Sequence, residues 1–156
     1  MKCWSLNKPD ESEIHMTKDQ TRGSCFCGKV SYEINGNFGV FQYCHCSRCR
    51  KFTGSALAAN ILVSPDHFKW LKGESLVGKF SPEDTKHFST AFCTNCGSSL
   101  PWFAKTGKTV VIPAGTLDEH PNIEPSQNIF YASKAIWYKP PDELIKYDEL
   151  PVRADS

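Results

Sequence analysis

The chain has 156 residues, 40% of them hydrophobic and 22% charged, with 18 Lys and Arg against 17 Asp and Glu. That is the size and composition of one globular domain, and a net charge of +1 gives no field to draw it onto nucleic acid or an anionic membrane surface. No segment approaches the roughly 18 continuous apolar residues of a spanning helix. The start Met1-Lys2-Cys3-Trp4-Ser5-Leu6-Asn7 turns polar at once, unlike a secretory signal, so a cytoplasmic, reducing setting is expected.

In chain order, residues 1–21 read as a loosely held polar arm with few apolar anchors. Met16 offers a second translation start that would leave out Cys3. From Gly23 onward the pattern is short strands separated by turn residues. Val30, Tyr32 and Ile34 alternate with Lys29, Ser31 and Glu33, the period of a half-buried strand, and Asn35-Gly36-Asn37 ends it. Residues 40–43 are extended and lead into Cys44; residues 47–52 have the character of a helical turn. Residues 56–63 form a continuous apolar run suited to a buried strand, stopped by Ser64-Pro65-Asp66. Further strands are expected over 76–81, 86–92, 99–103, 109–113 and 128–131, punctuated by Gly73, Pro82, Gly97, Gly107 and Gly115. Pro140-Pro141 opposes helix immediately after it, and residues 142–147 are a second candidate for helical turns. The whole reads as one mainly antiparallel β domain over 22–152, followed by a tail at 153–156.

Eight cysteines in a reducing setting point to metal ligands rather than disulfides. Cys25 and Cys27 flank a single residue, as do Cys44 and Cys46, so each pair converges on an ion more readily than it bonds within itself. Cys3 aside, the cysteines fall into Cys25-Phe26-Cys27, Cys44-His45-Cys46-Ser47-Arg48-Cys49 and Cys93-Thr94-Asn95-Cys96-Gly97. The last is a C-x-x-C-G knuckle, in which Gly97 permits a left-handed turn. A knuckle supplies half of a tetrahedral zinc shell. Two partitions are open. Cys25 and Cys27 can join Cys93 and Cys96, leaving Cys44, Cys46 and Cys49 with a second ion, or they can combine with members of the middle cluster. The first is favoured, because three sulfurs so close in sequence can close on one ion through a single turn. Two Zn²⁺ per chain follow. The second ion either gains His45 or Cys3 as fourth ligand in a structural site, or keeps an open position of the catalytic kind. An extended backbone aims His45, which lies between two ligands, away from the sulfurs.

Gly23-Ser24-Cys25-Phe26-Cys27-Gly28-Lys29-Val30, the middle motif continuing through Arg50-Lys51-Phe52-Thr53-Gly54-Ser55, and Phe92-Cys93-Thr94-Asn95-Cys96-Gly97-Ser98 resemble the glutathione-dependent formaldehyde-activating enzyme family, the zinc domain shared with centromere-protein-V-type proteins. Ile112-Pro113-Ala114-Gly115-Thr116-Leu117-Asp118 and Ser133-Lys134-Ala135-Ile136-Trp137 fit it too. The resemblance runs from about residue 22 to 151 and implies a β-tent fold of packed antiparallel sheets. It also implies a structural zinc on Cys25, Cys27, Cys93 and Cys96 and a catalytic zinc on Cys44, Cys46 and Cys49. The implied activity is that of a carbon–sulfur lyase, reversibly adding glutathione to formaldehyde to give S-hydroxymethylglutathione.

A free thiol titrates near about 8.5, whereas coordination to zinc removes its proton and prepares it to attack a carbonyl. A fourth thiolate would bring the centre to a net charge of −2. Arg48, Arg50 and Lys51 are therefore candidates to balance that charge or grip the carboxylates of a glutathione-like thiol. No acid–base residue stands out: His45 is nearest, with a neutral structural role favoured, and His67, His87 and His120 show no partner. Trp70, Trp102 and Trp137 read as core or pocket wall. The competing reading is a non-catalytic, zinc-stabilised module that binds protein or nucleic acid; Asp10, Glu11 and Glu13 in the arm weigh against nucleic acid. A methionine sulfoxide reductase would need a reactive non-ligand cysteine, and none follows Cys96. The expected partner is a small-molecule thiol, with no membrane and no nucleic acid.

Overall fold

Eleven strands and one α-helix organise the described part of the chain, residues 20–150 of a computed structural model. The arm as far as residue 19, with Cys3 and Met16, and the tail 153–156 lie outside the described residues. In order the elements are β1 (Gln20–Ser24), β2 (Ser31–Asn35), β3 (Phe41–Cys44), α1 (Ser47–Thr53), β4 (Ala58–Val63), β5 (Phe68–Lys72) and β6 (Val77–Phe80). There follow β7 (Thr90–Cys93), β8 (Ser99–Leu100), β9 (Trp102–Phe103), β10 (Val110–Pro113) and β11 (Gln127–Ile129). They make three sheets, ordered β1-β2-β5, β11-β3-β4-β10-β9 and β6-β7-β8.

The first strand begins two residues inside the segment that reads as arm, because Gln20 and Thr21 pair with Asn35 and Ile34. In β2 the expected alternation holds: Tyr32 and Ile34, with Val30 just before them, are fully buried. Glu33, on the nominally wet face, is buried as well. Its carboxylate accepts from Asn35 Nδ2 at 2.6 Å and from the Gln20 side chain, with Arg22 Nε 3.7 Å away. These partners, Asn35 foremost, hold its carboxyl below the ordinary range. The apolar run of β4 is explained by cover on both faces: Ala59, Ile61 and Val63 pack in one cluster, while Ala58 packs with Cys44 and Cys49 in another.

The sequence expectations need correction at several points. The strand expected over 99–103 is two, because Pro101 has no N–H to continue a ladder; β8 pairs with β7 and β9 with β10, so the chain changes sheet there. Of 86–92 only the end is strand, and residues 86–89 form an irregular loop. Strand β5 is missed from sequence: Phe68 and Trp70 pack toward the core, but the exposed Leu71 and Lys72 break the alternation. Strand β11 runs parallel to β3, a departure from a purely antiparallel plan. Over 142–147 there is no α-helix, only a single 3-10 turn at Pro141–Glu143, consistent with the two prolines before it. Helix α1 extends one residue beyond expectation and ends at Gly54, whose φ of 62° places it in the left-handed region while its N–H donates to Arg50 O.

One core lies between the first and central sheets, around Tyr32, Ile34, Phe41, Ile61, Val110 and Ile112. A second, with Cys25, Val30, Ala91, Cys93 and Leu100, joins the first sheet to the third. The third surrounds Cys44, Cys49 and Ala58, with Phe88 and Ile129 packed against it. Two of the three cores thus contain cysteines that can bind metal.

Candidate metal centres and an adjoining cavity

The turn after β1 carries Cys25 and Cys27, while Cys93 ends β7 and Cys96 lies in the turn to β8, so sulfurs far apart in sequence meet between two sheets. Their four Sγ atoms lie within 4.8 Å of one another. Cys25 and Cys27 are separated by 3.5 Å and Cys27 and Cys93 by 3.9 Å. Tetrahedral zinc with sulfur at about 2.3 Å requires about 3.8 Å between sulfurs, so this donor set fits. One backbone and one side-chain donor aim at it: Val30 N–H reaches Cys25 Sγ at 3.3 Å, and Asn95 Nδ2 reaches Cys27 Sγ at 3.4 Å. The knuckle turn is closed by Gly97 N–H donating to Cys93 O at 2.8 Å, with Gly97 at φ 76°. Ser98 hydrogen bonds draw the Cys96 thiol down to about 6, whereas burial pushes Cys93 up to about 11. Thiolates at this spacing repel one another, so the four can be ionised together only around a cation.

The second cluster is local. Cys44 ends β3, Cys46 is the N-cap of α1, and Cys49 occupies its first turn, with the three Sγ atoms also within 4.8 Å of one another. Cys46 Sγ accepts the Cys49 N–H at 3.4 Å. A hydrogen bond from Cys49 holds the Cys44 thiol down at about 6, and the same contact, with burial, pushes Cys49 well above the ordinary thiol range. A cation bound by the three sulfurs would displace their protons and remove this competition. The two Cys clusters are candidate sites for two Zn²⁺ per chain, partitioned as the favoured reading of the spacing had it.

His45 is fully buried and does not join the sulfurs. Its N–H donates to Ile129 O at 3.0 Å, its Nε2 lies 2.9 Å from Asn128 Oδ1, and the ring meets Tyr131 and Tyr138 edge-on. These contacts fasten β11 and the turn after it beside the cluster. Among the described residues no fourth His, Cys, Asp or Glu completes the three-cysteine set; Cys3 lies outside them.

A cavity of about 610 Å³ opens onto Cys44, Cys46 and Cys49. Its lining includes the apolar residues Leu62, Phe88, Trp102, Val111 and Ile129 and the polar residues Arg48, Asp84, Lys86 and His87. Arg48 Nη2 pairs with Asp84 Oδ2 at 3.0 Å. Arg50 and Lys51 are not part of this lining; with Ser47, Ser55 and Trp137 they border a separate depression of about 260 Å³. Ser47 touches both. Of the tryptophans, Trp102 is cavity wall, Trp70 packs in the core and Trp137 is exposed.

Sequence reading missed Asn60. It is buried in β4, opposite Gln42 of β3 and Pro113 of β10, and lines the cavity alongside the cysteines. A polar residue inside the apolar run 56–63 was the available signal, since buried amides need a partner. Phe88 was missed too, being read as strand rather than loop.

Residues 20–133 match the sequence model of the family described as glutathione-dependent formaldehyde-activating enzyme. A crystal structure of a Rhodobacter sphaeroides protein is similar, with a TM-score of 0.54 and 19% identity over 69% of this chain and 98% of that one. At that identity the likeness is one of fold. No curated protein matches the chain. Among the described residues no helix is long and apolar enough to cross a membrane.

Proposed function

The chain belongs to the glutathione-dependent formaldehyde-activating enzyme family, and from that premise we propose that it is a zinc-dependent carbon–sulfur lyase of the β-tent type, acting in the cytoplasm. Residues 22–152 form its single functional unit. Cys25, Cys27, Cys93 and Cys96 hold a structural zinc, and Cys44, Cys46 and Cys49 hold the catalytic one. The observation that carries this reading is the cavity of about 610 Å³ that meets the three-cysteine cluster. A four-sulfur shell is closed, whereas a three-sulfur shell facing a cavity can accept a substrate atom.

When bound there, zinc supplies ionisation of a visiting thiol such as glutathione and fixes its sulfur for reversible addition to a small carbonyl compound. The chain's own residues do the rest. Asn60 donates a hydrogen bond to the carbonyl oxygen as negative charge develops on it. Phe88 and Ile129, packed beside Cys44 and Cys49, keep water from the reacting sulfur. Arg48, steadied by Asp84, faces an anionic end of the thiol. Arg50 and Lys51, round the corner at Ser47, contribute positive field rather than contact.

The test is adduct exchange between glutathione and an aldehyde, followed by NMR on protein loaded with two zinc ions. Exchange faster than in buffer, abolished in Cys46→Ser, is the expected result. Buffer-level rates with every aldehyde would leave a non-catalytic zinc module as the reading.

A further inference from the structure

We propose that the carbonyl compound handled at this site is an aldehyde carrying an aromatic or other bulky apolar group, not formaldehyde. The inference rests on the thiol-addition reading above and adds the substrate class.

The cavity is lined by both charged and apolar residues. Arg48, paired with Asp84 at 3.0 Å, and Lys86 suit a thiol such as glutathione with its own charges of both signs. The apolar residues begin at the sulfurs themselves. Phe88 and Ile129 pack on Cys44, Cys49 and Ala58. Trp102 meets Phe88 edge-on with ring centroids 5.5 Å apart, and Val111 and Leu62 continue the wall. A carbon atom newly bonded to a sulfur held at the cluster therefore sits against hydrocarbon.

Formaldehyde has two non-hydrogen atoms and would add only on the order of 50 Å³ to the bound thiol, given about 30 Å³ for a water molecule in the liquid. A cavity of about 610 Å³ lies in the range that encloses drug-sized ligands, with room for glutathione and for a further group on the carbonyl carbon. With formaldehyde, the wall of Phe88, Trp102, Val111 and Leu62 would face water or an ill-matched polar chain. An aryl or long alkyl group on the carbonyl carbon covers it.

The wall is preformed. Lys105 Nζ donates to Thr85 O at 2.8 Å, Lys105 N–H donates to His87 O at 3.2 Å, and Thr85 Oγ1 donates to Phe88 O at 3.0 Å. The loop bearing Phe88 is thus fixed to the turn that follows β9, the strand of Trp102, and closing the wall over a ligand needs little reordering.

The step balances without a redox partner. The sulfur lone pair forms the C–S bond, the C=O π pair moves to oxygen, and the proton lost by the thiol ends on that oxygen as the hydroxyl of a hemithioacetal. The reverse reaction breaks the same C–S bond.

Two measurements on protein with both zincs loaded test this. In the first, exchange rates with glutathione are compared for formaldehyde, hexanal and benzaldehyde, each relative to its rate in buffer. At least about tenfold greater acceleration is expected for benzaldehyde than for formaldehyde, as an apolar pocket gives for added hydrocarbon. In the second, calorimetry compares S-benzylglutathione with S-methylglutathione, thioethers that mimic the two adducts without turnover. The benzyl compound is expected to bind at least about tenfold tighter, and Val111→Trp, which fills space beside the apolar lining, is expected to remove that difference. The wild-type comparison stands whether or not that variant folds. Acceleration greatest with formaldehyde, or equal binding of the two thioethers, overturns the aldehyde class and leaves the lyase. No acceleration with any aldehyde overturns both.

Discussion

Cys46 uses one sulfur twice: it caps α1 by accepting the Cys49 N–H, and it belongs to the three-cysteine cluster. Serine caps helices well but is a poor ligand for zinc beside thiolates. Cys46→Ser should therefore lower the zinc content from two ions to one by elemental analysis and leave the far-UV circular dichroism unchanged. Cys96→Ser should instead leave the protein unfolded or aggregated, since its cluster is the link between two sheets. Glu33 gives a prediction in pH. Its folded value lies below the unfolded one near about 4.3, so it adds stability above the unfolded value and loses it as pH falls through the folded one. Glu33→Gln should cost about 1 kcal/mol at pH 7 in urea unfolding, and clearly less at pH 3. Among single residues, the cysteines were legible because coordination demands close spacing within each motif. Asn60 and Phe88 were not, because a wall is made by strands and loops that meet only after folding.

Strands were legible where one face is dry. Val30, Tyr32 and Ile34 alternate because β2 has the core on that side, and the run in β4 is continuous because both of its faces are packed. Strand β5 was hidden by Leu71 and Lys72, which break its alternation, and the parallel pairing of β11 with β3 has no local signature. The change of sheet at Pro101 was foreshadowed by the proline alone. Close packing between elements gives a sharper prediction at Gly23. A Cβ there would run into the Tyr32 ring and come within 2.6 Å of Thr116 O, just where Tyr32 Oη and Thr116 Oγ1 share a 2.6 Å hydrogen bond. Gly23→Ala should thus destabilise the zinc-loaded protein by about 2–3 kcal/mol in denaturant titrations, in the range of overpacked cores.

Across the molecule, the two candidate centres differ in what they join. The four-sulfur set links the β1–β2 turn to the β7–β8 turn, whereas the three-sulfur set lies at the end of one strand and the start of one helix. A chelator should accordingly remove one zinc quickly with circular dichroism unchanged, and the second slowly, with loss of the fold; elemental analysis alongside the spectra follows both phases. Membership of the family was legible from the cysteine motifs, and the partition of the sulfurs between two centres from their density in sequence. The cavity was not, because its lining comes from segments between residues 42 and 133.

That difference also orders events on the ribosome. Cys44, Cys46 and Cys49 leave the exit tunnel nearly together, while Cys93 follows Cys27 by 66 residues and Ile129 emerges later still. A nascent chain can thus take up an ion at the three-cysteine cluster before the sheltering wall has been translated, whereas the four-cysteine set must wait for most of the chain.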